Sequence, residues 1–188
     1  MSFPHVWQAE ILPQRPAILP QRHFTYPRKA EEVERGALEV MVRPAATAPF
    51  LATFALGFAD PTAPSGLWSC PHPDELCALA GGYAYIVNTA DPERFTQIEF
   101  RPVLEVRPVP EQQLLLFCGN TAVLAWGAQG LAWKTPRLSS EGLRLDAIRD
   151  GVLRGFGWDL MTDREIPFAV DLQTGLLLSA GRGDRGRP

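Results

Sequence analysis

Three groups of residues in this 188-residue chain have side chains that could do chemistry. The first is the run Cys70-Pro71-His72-Pro73-Asp74-Glu75-Leu76-Cys77, which brings two thiols, an imidazole and two carboxylates into one short segment. Cys70, His72 and Cys77 are the candidate metal ligands. Zinc would require them deprotonated and tetrahedrally arranged, with a fourth ligand such as Cys118 arriving from elsewhere. The spacing is not that of a standard finger or knuckle, and Cys77 falls in an apolar strand pattern where a thiol behaves as a small core residue. The segment therefore reads as a structural turn, and no cofactor is expected. A cysteine nucleophile would need an imidazole base, and of His5, His23 and His72 the first two lie in the N-terminal arm.

The second group is acidic. Asp146, Asp150, Asp159, Asp163, Glu165 and Asp171 gather towards the end of the chain. Asp159, Asp163 and Glu165, beside Trp158, are the set that a glycosidase could use as paired acid and base. Turns select aspartate for their own hydrogen bonding, which accounts for Asp150, Asp163 and Asp171 without catalysis. No calcium-loop series is present. The third group is aromatic: Tyr83, Tyr85, Trp126, Trp133 and Trp158 fall in or at the ends of predicted strands. Such side chains carry much of the energy of cores and of interfaces. A period of two places Tyr83 and Tyr85 on one face of their strand and Ala84 and Ile86 on the other, so one face is core and the other a platform for a ligand or partner.

The elements that must position these groups are almost all extended. From residue 76 onwards short apolar segments alternate with turn residues: Leu76 to Ala80, Tyr83 to Asn88, Phe95 to Phe100, Val103 to Val109, Leu114 to Cys118, Ala122 to Trp126 and Leu131 to Lys134. The pattern continues through Leu143 to Ile148, Val152 to Trp158, Pro167 to Leu172 and Leu176 to Ser179. Joints such as Gly81-Gly82, Gly119-Asn120, Asp150-Gly151 and Thr174-Gly175 predict antiparallel up-and-down strands. Earlier, Leu38, Val40 and Val42 alternate with less apolar neighbours and Phe50 to Phe58 is an apolar run, giving two strands around a Pro44 to Pro49 turn. Lys29 to Arg35 is expected to form a helical turn or two, closed by Gly36. The glycine pairs lack the strand-loop-helix context of a dinucleotide motif.

Residues 103 to 133 can be laid on residues 143 to 178. Val103-Leu104-Glu105-Val106 falls on Leu143-Arg144-Leu145-Asp146, and Leu114 to Gly119 falls on Val152 to Gly157. Ala122 to Trp126 then matches Pro167 to Asp171, and Gly130 to Trp133 matches Gly175 to Leu178. The offset of roughly 40 residues is the length of a four-stranded propeller blade. In this cadence, with the dipeptide Trp158-Asp159, residues 37 to 180 resemble β-propeller blades of the WD40 and quinoprotein-like kind. The fold class expected is all-β: antiparallel meanders in two to three blade-like four-stranded units. That is fewer than the roughly 4 to 8 blades that close a ring. An open propeller-like fragment, a small sandwich or barrel, or a ring completed by other copies follows, and a homo-oligomer is an expectation.

Residues 1–35 read as a proline-rich N-terminal arm, 36–180 as a single all-β domain and 181–188 as a disordered tail. Within the arm Ile11-Leu12-Pro13-Gln14-Arg15 recurs as Ile18-Leu19-Pro20-Gln21-Arg22, suiting an extended segment laid across a surface, where it would cover an end of the stack. A hydrophobic share of 46% supports a real core, and a net charge of -3 argues against a nucleic-acid partner. No apolar run approaches the roughly 20 residues that span a bilayer, and the first residues lack the order of a signal peptide. With three cysteines read as reduced thiols, the expected setting is cytoplasmic. The leading functional expectation is a non-catalytic β-sheet protein whose strand edges or aromatic face bind another protein, an inhibitor or immunity-type protein being one form of it. The alternative is a carbohydrate-active enzyme or carbohydrate-binding module built around Trp158.

Overall fold

The computed structural model describes residues 1–28, 35–57 and 63–180. Among these described residues, sixteen strands form four four-stranded sheets. The first sheet holds β1 (Trp7–Ile11), β2 (His23–Tyr26), β3 (Ala37–Pro44) and β4 (Phe50–Ala55) in the order β1-β3-β4-β2. The other three are simple meanders. The second runs β5 (Gly66–Ser69), β6 (Glu75–Ala80), β7 (Tyr83–Asn88) and β8 (Phe95–Gln97). In the third, β9 (Glu105–Val109), β10 (Leu114–Cys118), β11 (Val123–Gly127) and β12 (Gly130–Lys134) follow one another, with a 3-10 turn at Pro110–Gln112. The fourth consists of β13 (Leu143–Arg149), β14 (Val152–Asp159), β15 (Arg164–Asp171) and β16 (Leu177–Ala180).

Alternation of side chains decides how the sheets stack. On β6 and β7, Leu76, Ala78, Tyr85 and Val87 join a core with Phe50, Ala52 and Phe54 of the first sheet. Their neighbours Cys77, Leu79, Ala84 and Ile86 point the other way, into a core with Leu115, Phe117 and Leu124 of the third. The third sheet repeats the arrangement: Leu114, Leu116, Cys118 and Val123 pack on Leu143, Leu153, Phe168 and Val170 of the fourth. Three cores thus separate four sheets in sequence order. Strands buried on both faces read as continuous apolar runs, which is why Leu114 to Cys118 contains no polar residue. Each large side chain so buried contributes about 1.5–3 kcal/mol. Two-residue hairpins fix the register. Gly81 and Gly82 (φ 53° and 82°) join Ala80 to Tyr83, and Asp150 and Gly151 (φ 52° and 73°) join Arg149 to Val152. Both have the doubly positive φ of the turn that matches strand twist.

The fold class is the all-β, blade-like meander expected, with one sheet more than the two to three units read from the sequence. The additional sheet draws its two edge strands from the proline-rich segment. β1 lies between Pro4 and Pro13, and β2 between Pro20 and Pro27, so each fits a proline-free window. At an edge a missing donor near the strand costs little. β2 pairs in parallel with β4, a partner far along the chain. β5, four residues long and opening on Gly66, is a further strand outside the expected set. The helical turn expected at 29–35 falls almost wholly outside the described residues, as does the 181–188 tail.

β1 and β2 sit on opposite edges of the first sheet, whose inner face packs on the second sheet, so residues 12–22 cross the outer face. The Leu12 amide donates to the Glu39 carbonyl (2.8 Å) as the crossing begins. Arg15 of the first Ile-Leu-Pro-Gln-Arg copy lies 3.9 Å from the Glu39 carboxylate, which is only 7% exposed. The fully buried Thr53 hydroxyl donates to the same carboxylate (2.6 Å). Arg22 of the second copy donates to the Ala48 carbonyl and stands over the Phe24 and Phe50 rings at 5.9 and 5.7 Å. The duplicated arginines therefore fasten the crossing at two points. Further upstream, Phe3 is buried in the core between the second and third sheets, and the Ser69 hydroxyl accepts from the Ser2 and Phe3 amides at 3.1 and 2.9 Å.

Candidate functional site

Asp159, Asp163 and Glu165 lie along one hairpin of the fourth sheet, with Trp158 opposite Glu165 in the register. Asp159 is engaged by its own turn: its carboxylate oxygens accept from the Met161 amide (3.0 Å) and the Thr162 hydroxyl (2.9 Å). Asp163 occupies a left-handed turn position (φ 54°). Glu165 stands on the outer sheet face, 3.6 Å from Arg144, whose guanidinium also lies 4.6 Å from the Phe156 ring centroid. Trp158 and Asp159 border a hollow of about 200 Å³ beside Arg137, Ser139 and Ile166, and Glu165 is outside it. The three carboxylates are thus spread over a turn and a sheet face rather than gathered around a shared space.

Cys70 and Cys77 point into the core between the second and third sheets, while half-buried His72 belongs to the loop above it. The His72 ring nitrogen Nδ1 accepts from the Asp74 amide (3.2 Å). Burial pushes both thiols well above their usual range, with Glu75 adding to it, and Cys77 adding to it for Cys70. Cys118 is held at about 12, chiefly by burial. Such thiols stay protonated and pack as apolar groups. Among the described residues no group of three or more His, Cys, Asp or Glu side chains is placed to hold a metal ion.

The aromatic candidates divide by burial. Tyr85 is a core residue of the first interface, its hydroxyl donating to the Ala55 carbonyl (3.0 Å), so it offers no surface to a partner. Trp133 is likewise corrected from platform to core: its indole N–H donates to the Leu172 carbonyl (2.7 Å) and its ring lies against Gly175, joining the third sheet to the fourth. Tyr83, on the same face as Tyr85, is half-buried with Arg101 at 4.9 Å from its ring centroid. Trp158 is half-buried, its amide donating to the Ser139 hydroxyl (2.8 Å).

Trp126 is the candidate whose surroundings carry most polar chemistry. Its ring, 7% exposed, belongs to the core between the second and third sheets rather than to an open platform, and its Nε1–H donates to Oε2 of Glu75 (2.8 Å), the first residue of β6. Burial raises the Glu75 carboxyl above its ordinary value; the Trp126 hydrogen bond, His72 and Arg94 pull it down, and Asp74 pushes it up. The pair opens on a cleft of about 620 Å³ between the second and third sheets. In the sequence Glu75 stood out only as one of the two carboxylates of the Cys70–Cys77 run, with nothing to link it to Trp126.

A second surface is the free edge of the fourth sheet. Among the described residues β16 pairs only with β15, and the three consecutive leucines that lead into it are uncovered, Leu176 at 65%, Leu177 at 37% and Leu178 at 57% exposed. Edge strands normally carry charge or are kept short to blunt such a template.

These features define an all-β protein of stacked, blade-like four-stranded sheets. No protein-family model matches the sequence, and no curated protein matches it significantly. Among solved structures, the N-terminal domain of Nup159 is similar, with a TM-score of 0.42 and 11% sequence identity over 95% of this chain and 50% of that one. The chain spans about half the length of that structure.

Proposed function

We propose that the protein is a non-catalytic binding module that receives an extended segment of a partner protein on the edge of its fourth sheet. The observation that carries this reading is the unpaired edge of β16 with three exposed leucines side by side. An added strand gains main-chain hydrogen bonds from the edge, and the leucines supply apolar contacts on alternate sides. The engagement of Asp159 with its own turn and of Glu165 with Arg144 favours binding over sugar hydrolysis. Three buried, free thiols suit the cytoplasmic setting that accompanies this proposal.

A photo-crosslinking residue placed at Leu178 tests the reading in cells that make the protein. A discrete adduct with one other polypeptide is expected, together with its loss when Leu176→Lys is added. The same probe at Arg154, on the face of the same sheet rather than at its edge, is expected to give none. Absence of any adduct at Leu178, or equal adducts at both positions, refutes the proposal. An adduct of twice the chain's mass assigns the edge to a second copy instead.

A further inference from the structure

The hairpin turns at one end of the stack share a charge. In the second sheet, β5 and β6 meet at the turn carrying Asp74 and Glu75, and β7 and β8 meet at the turn carrying Asp91, Glu93 and Arg94. The matching turns of the third and fourth sheets add Glu111, then Arg149 with Asp150, then Asp171. The Trp126–Glu75 hydrogen bond brings the turn ends of the second and third sheets together, and a second hollow of about 430 Å³ bridges those of the third and fourth. Among the described residues these turns carry seven carboxylates and two arginines, and Arg28 adds a third arginine by reaching Glu93 (3.6 Å), which leaves an excess of negative charge at this end.

The larger cleft lies within that end. Glu75 and Trp126 form one wall, Asn88 and Arg94 another, and the β11–β12 turn brings Gln129 over it. Its volume is that of an ordinary ligand pocket. Glu75 is half-buried and accepts one hydrogen bond, on Oε2; no ion pair to it is formed among the described residues. A carboxylate so placed has lost part of its hydration, and Arg94 and His72, which line the same cleft, offset this only from beyond ion-pair distance.

We propose that this cleft is a docking pocket for a basic side chain, lysine or arginine, presented by the surface of a partner protein. The cation would pair with Glu75 on the oxygen that Trp126 leaves free, and its apolar stem would lie along the indole. The surrounding carboxylates would steer the partner's positive surface to this end of the stack. The inference rests on the protein-binding reading but uses a different surface from the β16 edge.

Binding of a fluorescein-labelled nona-arginine peptide, followed by anisotropy at 0.05 and 0.15 M salt, tests it. The wild type should bind, a nona-glutamate peptide should not, and the affinity should fall with salt. Glu75→Gln should weaken binding about tenfold, the loss of one partly desolvated charge pair. Glu141→Gln, the same charge change at the opposite end, should leave it within twofold. Trp126→Phe, which keeps an aromatic ring and removes the hydrogen bond to Glu75, is a second variant at the same site and should shift affinity in a correctly folded protein. No binding by the wild type, or equal weakening by Glu75→Gln and Glu141→Gln, overturns the proposal. Competition by agmatine at the peptide's own affinity also overturns it, since the site would then belong to a free amine. Leu178→Lys in the same assay should change nothing, so that the edge and the cleft can fail separately.

Discussion

Replacing Trp133 by alanine tests the serial stacking of the sheets. Its indole sits in the core between the third and fourth sheets and donates to the Leu172 carbonyl at 2.7 Å, while an added Cβ on Gly175 would stand 2.7 Å from the ring. Truncating a buried tryptophan costs about 3–5 kcal/mol, of which a stranded buried carbonyl accounts for about 1–3 kcal/mol. In a stack where each sheet touches only its neighbours, that loss falls on the last interface. Amides of β13 to β15 should then exchange with solvent about a hundredfold faster or more, whereas those of β3 and β4, two interfaces away, should keep their protection. Trp133→Phe, which removes the donor and keeps most of the apolar area, should produce a smaller effect of the same distribution. Hydrogen exchange read by mass spectrometry of peptic fragments separates the sheets. Uniform acceleration across all four would mean that the chain unfolds as one unit, and the serial reasoning would be refuted.

The raised carboxyl of Glu75 links stability to pH. Because the folded value lies above the unfolded one, ionisation costs the folded state stability at neutral pH, and the cost disappears as pH falls below the ordinary carboxylate range. Glu75→Gln should therefore be more stable than the wild type at pH 7, the difference shrinking towards zero near pH 4; urea titrations at both pH values would expose a pH-independent difference, which contradicts this. Gly155→Ala should destabilise by about 1–3 kcal/mol, because its Cβ would stand 2.4 Å from the Phe168 ring and 2.5 Å from the Arg144 carbonyl. A midpoint unchanged within error would show that the two strands can separate freely there.

Much of the architecture can be read from residues that act locally. Gly81-Gly82 and Asp150-Gly151 announce hairpins because few other pairs accept two positive φ values in succession, and the match of residues 103–133 to 143–178 places β9 to β12 against β13 to β16 strand for strand. What stayed hidden depends on distant partners. Trp7–Ile11 and His23–Tyr26 become strands because β3 and β4 present open edges to them, and the surrounding prolines mask that possibility. Trp126 stood out as an aromatic, but its bond to Glu75 depends on which sheet follows which, and alternation along one strand carries no information about that order. Tyr85 and Tyr83 share a strand face, yet only stacking decides that this face is a core.

The seating of Phe3 has a consequence for synthesis. Its core is completed by Leu115 and Phe117, so Phe3, synthesised well before them, has nowhere to settle until the third sheet has been made. The crossing over β3 and β4 can be laid down earlier, since those strands arrive sooner. The proline-rich arm is therefore secured in two instalments, and its final anchorage is a late, non-local event of the slow kind. Until then a nascent polypeptide carries Phe3 bare, where a chaperone would find it.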